Sequence, residues 1–69
     1  MPIDTNKIRT LRRSRKLTQV AAAARAMLNQ SQWSRIESGE RYPSLLSLER
    51  VAKVLGVPAR ELMKQGERP

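Results

Sequence analysis

Helix-starting residues recur so closely along this chain that no helix in it can run much beyond about a dozen residues. Asp4 or Thr5, Thr18, Asn29 and Ser44 are all good N-caps. Pro58 suits the opening of one further short helix, and Gly39 and Gly56 supply stops. No alternating strand pattern, internal repeat or low-complexity linker interrupts the series. The expected fold is all-α, a compact bundle of five short helices forming a single domain over residues 1–69. A chain of 69 residues has a marginal core, so tight helix packing or a partner has to support it.

After a short arm over residues 1–4, the first helix is expected to reach about Lys16. Ile8 and Leu11 give it an apolar stripe, while Arg9, Arg13 and Lys16 share a separate arc of positive charge. That arc suits phosphate contact, although a purely solubilising face has the same pattern. Arg12 differs: by helical angle it lies beside Ile8 on the apolar side, where a guanidinium needs a carboxylate to offset the loss of water. Glu37 is the best-placed candidate. Thr18 caps a second helix over residues 19–26, with high helix propensity in V-A-A-A-A-R-A-M. Periodicity admits either Val20/Met27 or Ala22/Ala23/Ala26 as its buried face. The alanines suit a close helix crossing.

Residues 29–39, N-Q-S-Q-W-S-R-I-E-S-G, form the most informative stretch. Asn29 caps a third helix, Gln32 can complete a capping box, and Gly39 ends it. Trp33 and Ile36 fall on one side. Gln30, Ser31, Ser34, Arg35 and Ser38 share the opposite arc, with Gln32 at its flank. Such side chains can reach base edges in a major groove, because Gln pairs with adenine, Arg with guanine and Ser with several edges. The segment has the form of a recognition helix. Ser44 caps a fourth helix ending before Gly56, with Leu45, Leu48, Val51, Ala52 and Leu55 in one narrow core-facing arc and Leu46 pointing away. A last helix over residues 59–64 leaves Leu62 and Met63 for the core or a subunit contact, and a frayed tail over residues 65–69 is expected.

Composition narrows the function. Fourteen Lys and Arg against six Asp and Glu leave a net charge of +8, which favours a polyanionic partner. With neither His nor Cys, a Cys/His zinc finger, a thiol nucleophile, a disulfide framework and an imidazole base are excluded. An enzyme is not expected, and neither a cofactor nor a metal. No charged, then apolar leader opens the chain, and its longest apolar run, residues 20–28, is broken by Arg25 and far too short for a bilayer. A soluble cytoplasmic protein without a membrane partner is the expectation.

The motifs I-R-T-L-R, L-T-Q, N-Q-S-Q-W-S-R-I-E-S-G, R-Y-P-S-L and L-E-R-V-A-K-V-L-G-V follow one another without a gap from Ile8 onward. In this order they resemble the XRE family of helix-turn-helix regulators, which includes phage repressors and Cro proteins. The resemblance implies a lambda-repressor-like domain with its helix-turn-helix over about residues 18–38, the third helix in the major groove and the second across the backbone. It implies base contacts from Gln30, Ser31, Ser34 and Arg35, with Gln32 on a base or a phosphate, and a phosphate contact from Gln19. The family's structural ion pair falls on Arg12 and Glu37, as helical angle also suggests. The chain departs from the family where Met27 replaces the usual turn Gly, and where Ala22 and Trp33 replace Leu and Ile or Val. Trp33 is expected in the core, filling volume that Ala22 leaves.

The resulting expectation is sequence-specific binding to double-stranded DNA by a transcriptional regulator, nucleoid-associated when bound. Gln19, Arg9, Arg13, Lys16, Arg41 and Tyr42 would set register on the backbone. So small a module reads few bases, so a repressor-type homodimer on an inverted repeat is expected. Two alternatives carry a protein partner: an antitoxin of the same fold, and an interaction adaptor that does not bind DNA. The positive charge and Arg35 oppose the adaptor.

Overall fold

The computed structural model describes residues 3–64; the expected frayed tail lies outside them. Four α-helices and one 3-10 turn follow in order: α1 Thr5–Ser14, α2 Gln19–Arg25, α3 Gln30–Ser38, α4 Leu45–Leu55, and the 3-10 turn Ala59–Leu62. Each α-helix starts at a side-chain cap. Asp4, Thr18, Asn29 and Ser44 accept from the backbone N–H groups of Lys7, Ala21, Gln32 and Ser47, satisfying donors that a helix start leaves unpaired. At α3 the capping box is complete: Gln32 N–H donates to Asn29 Oδ1 at 2.7 Å and Asn29 N–H to Gln32 Oε1 at 2.9 Å.

The four helices also end alike. The residue in the left-handed region donates its N–H three residues back, and the next N–H reaches five back, as from Leu17 to Arg12 (3.2 Å) and from Leu28 to Ala23 (2.8 Å). Gly39 and Gly56 occupy that position after α3 and α4. After α1 and α2 it is Lys16 (φ 58°) and Met27 (φ 61°). Methionine thus takes the conformation the family's glycine would take, at about 1 kcal/mol of backbone cost. Its side chain points into solvent, 73% exposed, so that cost is not relieved by packing.

Three sequence expectations need correction. First, α1 stops at Ser14, because the reversal at Lys16 is what returns Leu17 towards the core. Second, the last element is a single 3-10 turn that ends at Leu62. Met63 is already extended and pairs with Ile3 in an isolated antiparallel bridge, while Asp4 N–H donates to the Leu62 carbonyl at 2.8 Å. Ile3 and Asp4 are therefore tied down rather than part of a loose arm, and an exposed Lys7–Glu61 ion pair (2.8 Å) spans the same join. Third, Leu45 is 66% exposed in spite of its place on the core arc, since the first turn of α4, with Ser44 and Leu46 also exposed, projects past the elements that cover the rest of the helix.

Ile8, Trp33, Ile36, Leu48, Val51, Leu55 and Leu62 form the core together with Ala22, Ala23, Ala26 and Ala52. Packing thereby selects between the two possible faces of α2: the alanines are buried, and Val20 and Met27 stand in solvent. The alanine face lets α2 lie close against α3, and the bulky Trp33, with no exposed surface, occupies the interior that short side chains leave.

Candidate nucleic-acid interface

The polar face of α3 is held in place from beneath by one buried carboxylate. Glu37 is 3% exposed, the lone charged residue so deeply buried among the described residues. Its Oε2 accepts from Arg12 Nε at 2.5 Å and from Trp33 Nε1 at 2.6 Å. Its Oε1 accepts from Arg12 Nη2 at 3.1 Å and from Gln19 Nε2 at 3.0 Å. Burial by itself pushes the Glu37 carboxyl up. The hydrogen bonds from Arg12, Trp33 and Gln19, with the Arg12 charge, outweigh it and hold the group below its ordinary value of 4.5. Arg12 is completed by a bond from Nη1 to the Leu17 carbonyl at 2.9 Å, which clamps the reversal after α1. The ion pair suggested by helical angle is present, and it joins α1, α2 and α3 at one point.

Above this cluster, Gln30 and Ser31 are exposed on the first turn of α3, and Ser34 is half-buried one turn on. Gln30 Nε2 donates to Gln19 Oε1 at 3.1 Å, so the start of α2 and the start of α3 meet on one surface. Arg35 is exposed and lies 3.8 Å from Glu40, a long surface pair that holds it weakly. Gln32 has its carbonyl oxygen committed to the capping box. Arg41 lines a shallow hollow with Arg35 and Glu40, and Tyr42 is exposed beside it.

The basic residues of α1 do not form the single arc that helical angle predicts. Arg9 folds onto the end of α3, donating to the Glu37 backbone carbonyl at 3.2 Å and to Asn6 Oδ1 at 3.0 Å. Arg13 and Lys16 are exposed and have no side-chain partner among the described residues, with Lys16 outside the helix. Two roles escape sequence reasoning: the Trp33 indole as a donor to Glu37, and the Gln19 amide as a link between Glu37 and Gln30. Trp33 and Glu37 are four apart on one helix, a signal available in principle. The Gln19 link spans 18 residues and leaves no periodic trace.

Among the described residues there is no group of acidic, His or Cys side chains able to hold a metal, and no helix is long and apolar enough to cross a membrane. A family profile described as a helix-turn-helix domain matches residues 6–64. The immunity repressor protein of Bacillus phage phi105 is 45% identical over 51 residues, covering 74% of this chain but 35% of the repressor, so the chain spans about a third of that relative. Control protein C.MunI of a Mycoplasma species is 36% identical over 64 residues, covering 91% of this chain and 86% of that protein. No solved structure matches the chain to comparable significance. The all-helical fold, the paired starts of α2 and α3 and these matches converge: the chain belongs to the helix-turn-helix family of DNA-binding transcriptional regulators, of the XRE type.

Proposed function

We propose that the protein acts as a homodimeric repressor-type regulator that reads an inverted repeat in double-stranded DNA, within the compartment that holds that DNA. The observation that carries this is the exposed polar first turn of α3, Gln30 and Ser31, anchored by Gln19 over a fixed buried charge. A rigid presentation of a few donors and acceptors is what base readout in the major groove needs. Gln30, Ser31, Ser34 and Arg35 choose sequence, and the Gln32 amide nitrogen remains for a flanking base or phosphate. Arg13, Lys16 and Arg41, which have no competing side-chain partner among the described residues, and Tyr42 beside Arg41 set register on phosphate. Arg9 adds charge but chiefly holds α1 to the end of α3.

Leu62 has no exposed surface, so it belongs to the core and not to a subunit contact; Met63 is half-buried against that core. Leu45 and Leu46, adjacent and both more than half exposed, are the apolar pair we assign to a dimer interface. The names of the two relatives, an immunity repressor and a control protein, support a role in gene control.

Selection of bound duplexes from a random pool at physiological salt tests this. A two-fold symmetric motif with half-sites about one helical turn apart supports a dimeric operator-binding protein. Enrichment of no motif, with binding that vanishes as salt rises, refutes it.

A further inference from the structure

A second cluster of positive charge lies away from the reading face. Arg25, which ends α2, and Met27 in the turn after it line a surface hollow of about 500 Å³ together with Arg50, Lys53 and Val54 from the second half of α4. Arg25 closes a helix of 7 residues that opens at Gln19, about 9 Å away along its axis. The exposed pair Leu45 and Leu46 stands at the opposite end of α4. We propose that this hollow docks an acidic segment of a partner protein, which sets an apolar side chain between Met27 and Val54 and its carboxylates on Arg25, Arg50 and Lys53. The site is independent of the DNA readout.

The cations converge without a counter-charge. None of Arg25, Arg50 and Lys53 has an ion pair among the described residues, and Lys53 does not pair even with Glu49, four before it on the same helix. A cation in the last turn suits the helix dipole, which accounts for Arg25 and Lys53 one at a time. It does not account for Arg50, half-buried in mid-helix beside them. Like charges gathered in this way repel, and a bound carboxylate removes that penalty. The lining between them is apolar: Val54 is half-buried and Met27 is 73% exposed. Met27 also holds the φ of 61° that glycine would adopt without strain, so an exposed methionine stands where the chain's own packing gains nothing from it. A flexible, polarizable thioether suits contact with a partner.

Charge and shape together select the occupant. A second copy of this chain carries a net charge of +8 and is repelled from a cationic hollow. A nucleic-acid backbone matches the cations but offers no apolar group to Met27 and Val54. An acidic segment with one apolar side chain matches both.

The full chain, with its methyl groups observed by NMR, is titrated with a short peptide of Asp and Glu around one leucine, and with the same peptide carrying serine in its place. The expected result is movement of the Met27 and Val54 methyls, with roughly tenfold weaker binding of the serine peptide. Lys53→Glu weakens the leucine peptide by roughly tenfold as well and leaves the DNA motif unchanged. Met27→Gly weakens it while unfolding at no lower a temperature, which separates loss of the contact from loss of the fold. No movement of the two methyls at millimolar peptide, equal binding of the two peptides, or movement centred on α3 overturns the proposal. Laurate, or a duplex without an operator motif, moving the same methyls at lower concentration than the peptide also overturns it, and gives the hollow to a small amphiphile or to a second duplex.

Discussion

Replacing Arg12 with Met removes one charge of a buried pair while keeping most of its volume, and the cost can be worked from the geometry. The Arg12 side chain is 11% exposed and Glu37 3%, so neither is well served by solvent. Without Arg12, Glu37 keeps Trp33, Gln19 and the more distant, partly exposed Arg9 (Nε to Oε1 3.8 Å) but loses its close counter-charge, and the Leu17 carbonyl loses its donor. Stranding one partner of such a pair costs about 3–5 kcal/mol. At about 0.05–0.15 kcal/mol per residue the whole domain has only about 3–10 kcal/mol to lose, so the variant sits near the edge of folding. Urea unfolding followed by the fluorescence of Trp33, the single tryptophan, gives the difference directly.

The pH dependence supplies a check that simple loss of packing would not produce. In the natural chain Glu37 is depressed, so its contribution is fully present above the ordinary carboxyl value of 4.5 and is lost as pH falls through the lower folded value. In Arg12→Met the folded value rises, so protonation relieves the buried charge and the gap between the two proteins narrows as pH falls. Adding Glu37→Met to Arg12→Met removes the stranded charge but leaves the Trp33 indole and the Gln19 amide unpaired at about 1–3 kcal/mol each, so the two substitutions together cost less than the sum of their separate costs. A loss below about 1 kcal/mol in the single variant, or a gap that does not change with pH, refutes the central role given to this pair.

Other outcomes follow from particular residues. Met27→Gly relieves a left-handed φ of 61° and gains up to about 0.6 kcal/mol once about 0.4–1 kcal/mol for the added freedom of the unfolded chain is subtracted from the backbone cost of about 1 kcal/mol; thermal unfolding measures it, and a clear loss would mean the exposed Met27 packs in a way its exposure denies. Arg35→Ala is expected to relax preference at one or two base pairs and to cost about 1–3 kcal/mol on the best site, read from a repeated duplex selection; an unchanged motif removes Arg35 from readout. Arg13→Ala weakens binding to all sequences alike and lowers the salt slope by about one ion, read from a salt titration; a sequence-selective loss would mean that α1 faces bases.

Much of this protein is legible before any folding is considered, because caps and stops act within a few residues of themselves. Asn29 with Gln32, Gly39, Thr18 and Ser44 bound their helices as sequence alone predicts, and the helical angle that sets Arg12 beside Ile8 identifies it as a buried cation in want of Glu37. The helix-turn-helix family follows from the same motifs, since their order and spacing survive on the linear chain. What the sequence determined by itself is therefore the local punctuation, the fold class and the polar face of α3.

Tertiary structure decided everything that depends on distance across the chain. Two faces of α2 satisfy the same period, and the contest is settled by which one lets α3 approach, so the alanines are inside and Val20 outside. Leu45 satisfies the core arc of α4 yet lies beyond the reach of its neighbours. The arc of Arg9, Arg13 and Lys16 dissolves because α1 ends early and Arg9 finds the end of α3. The Glu37 cluster gathers Arg12, Gln19 and Trp33 from three helices, and no periodicity encodes that meeting. Side-chain angle about one helix axis is a local quantity, whereas the partner at the end of that side chain is set by how the axes cross, which only packing resolves.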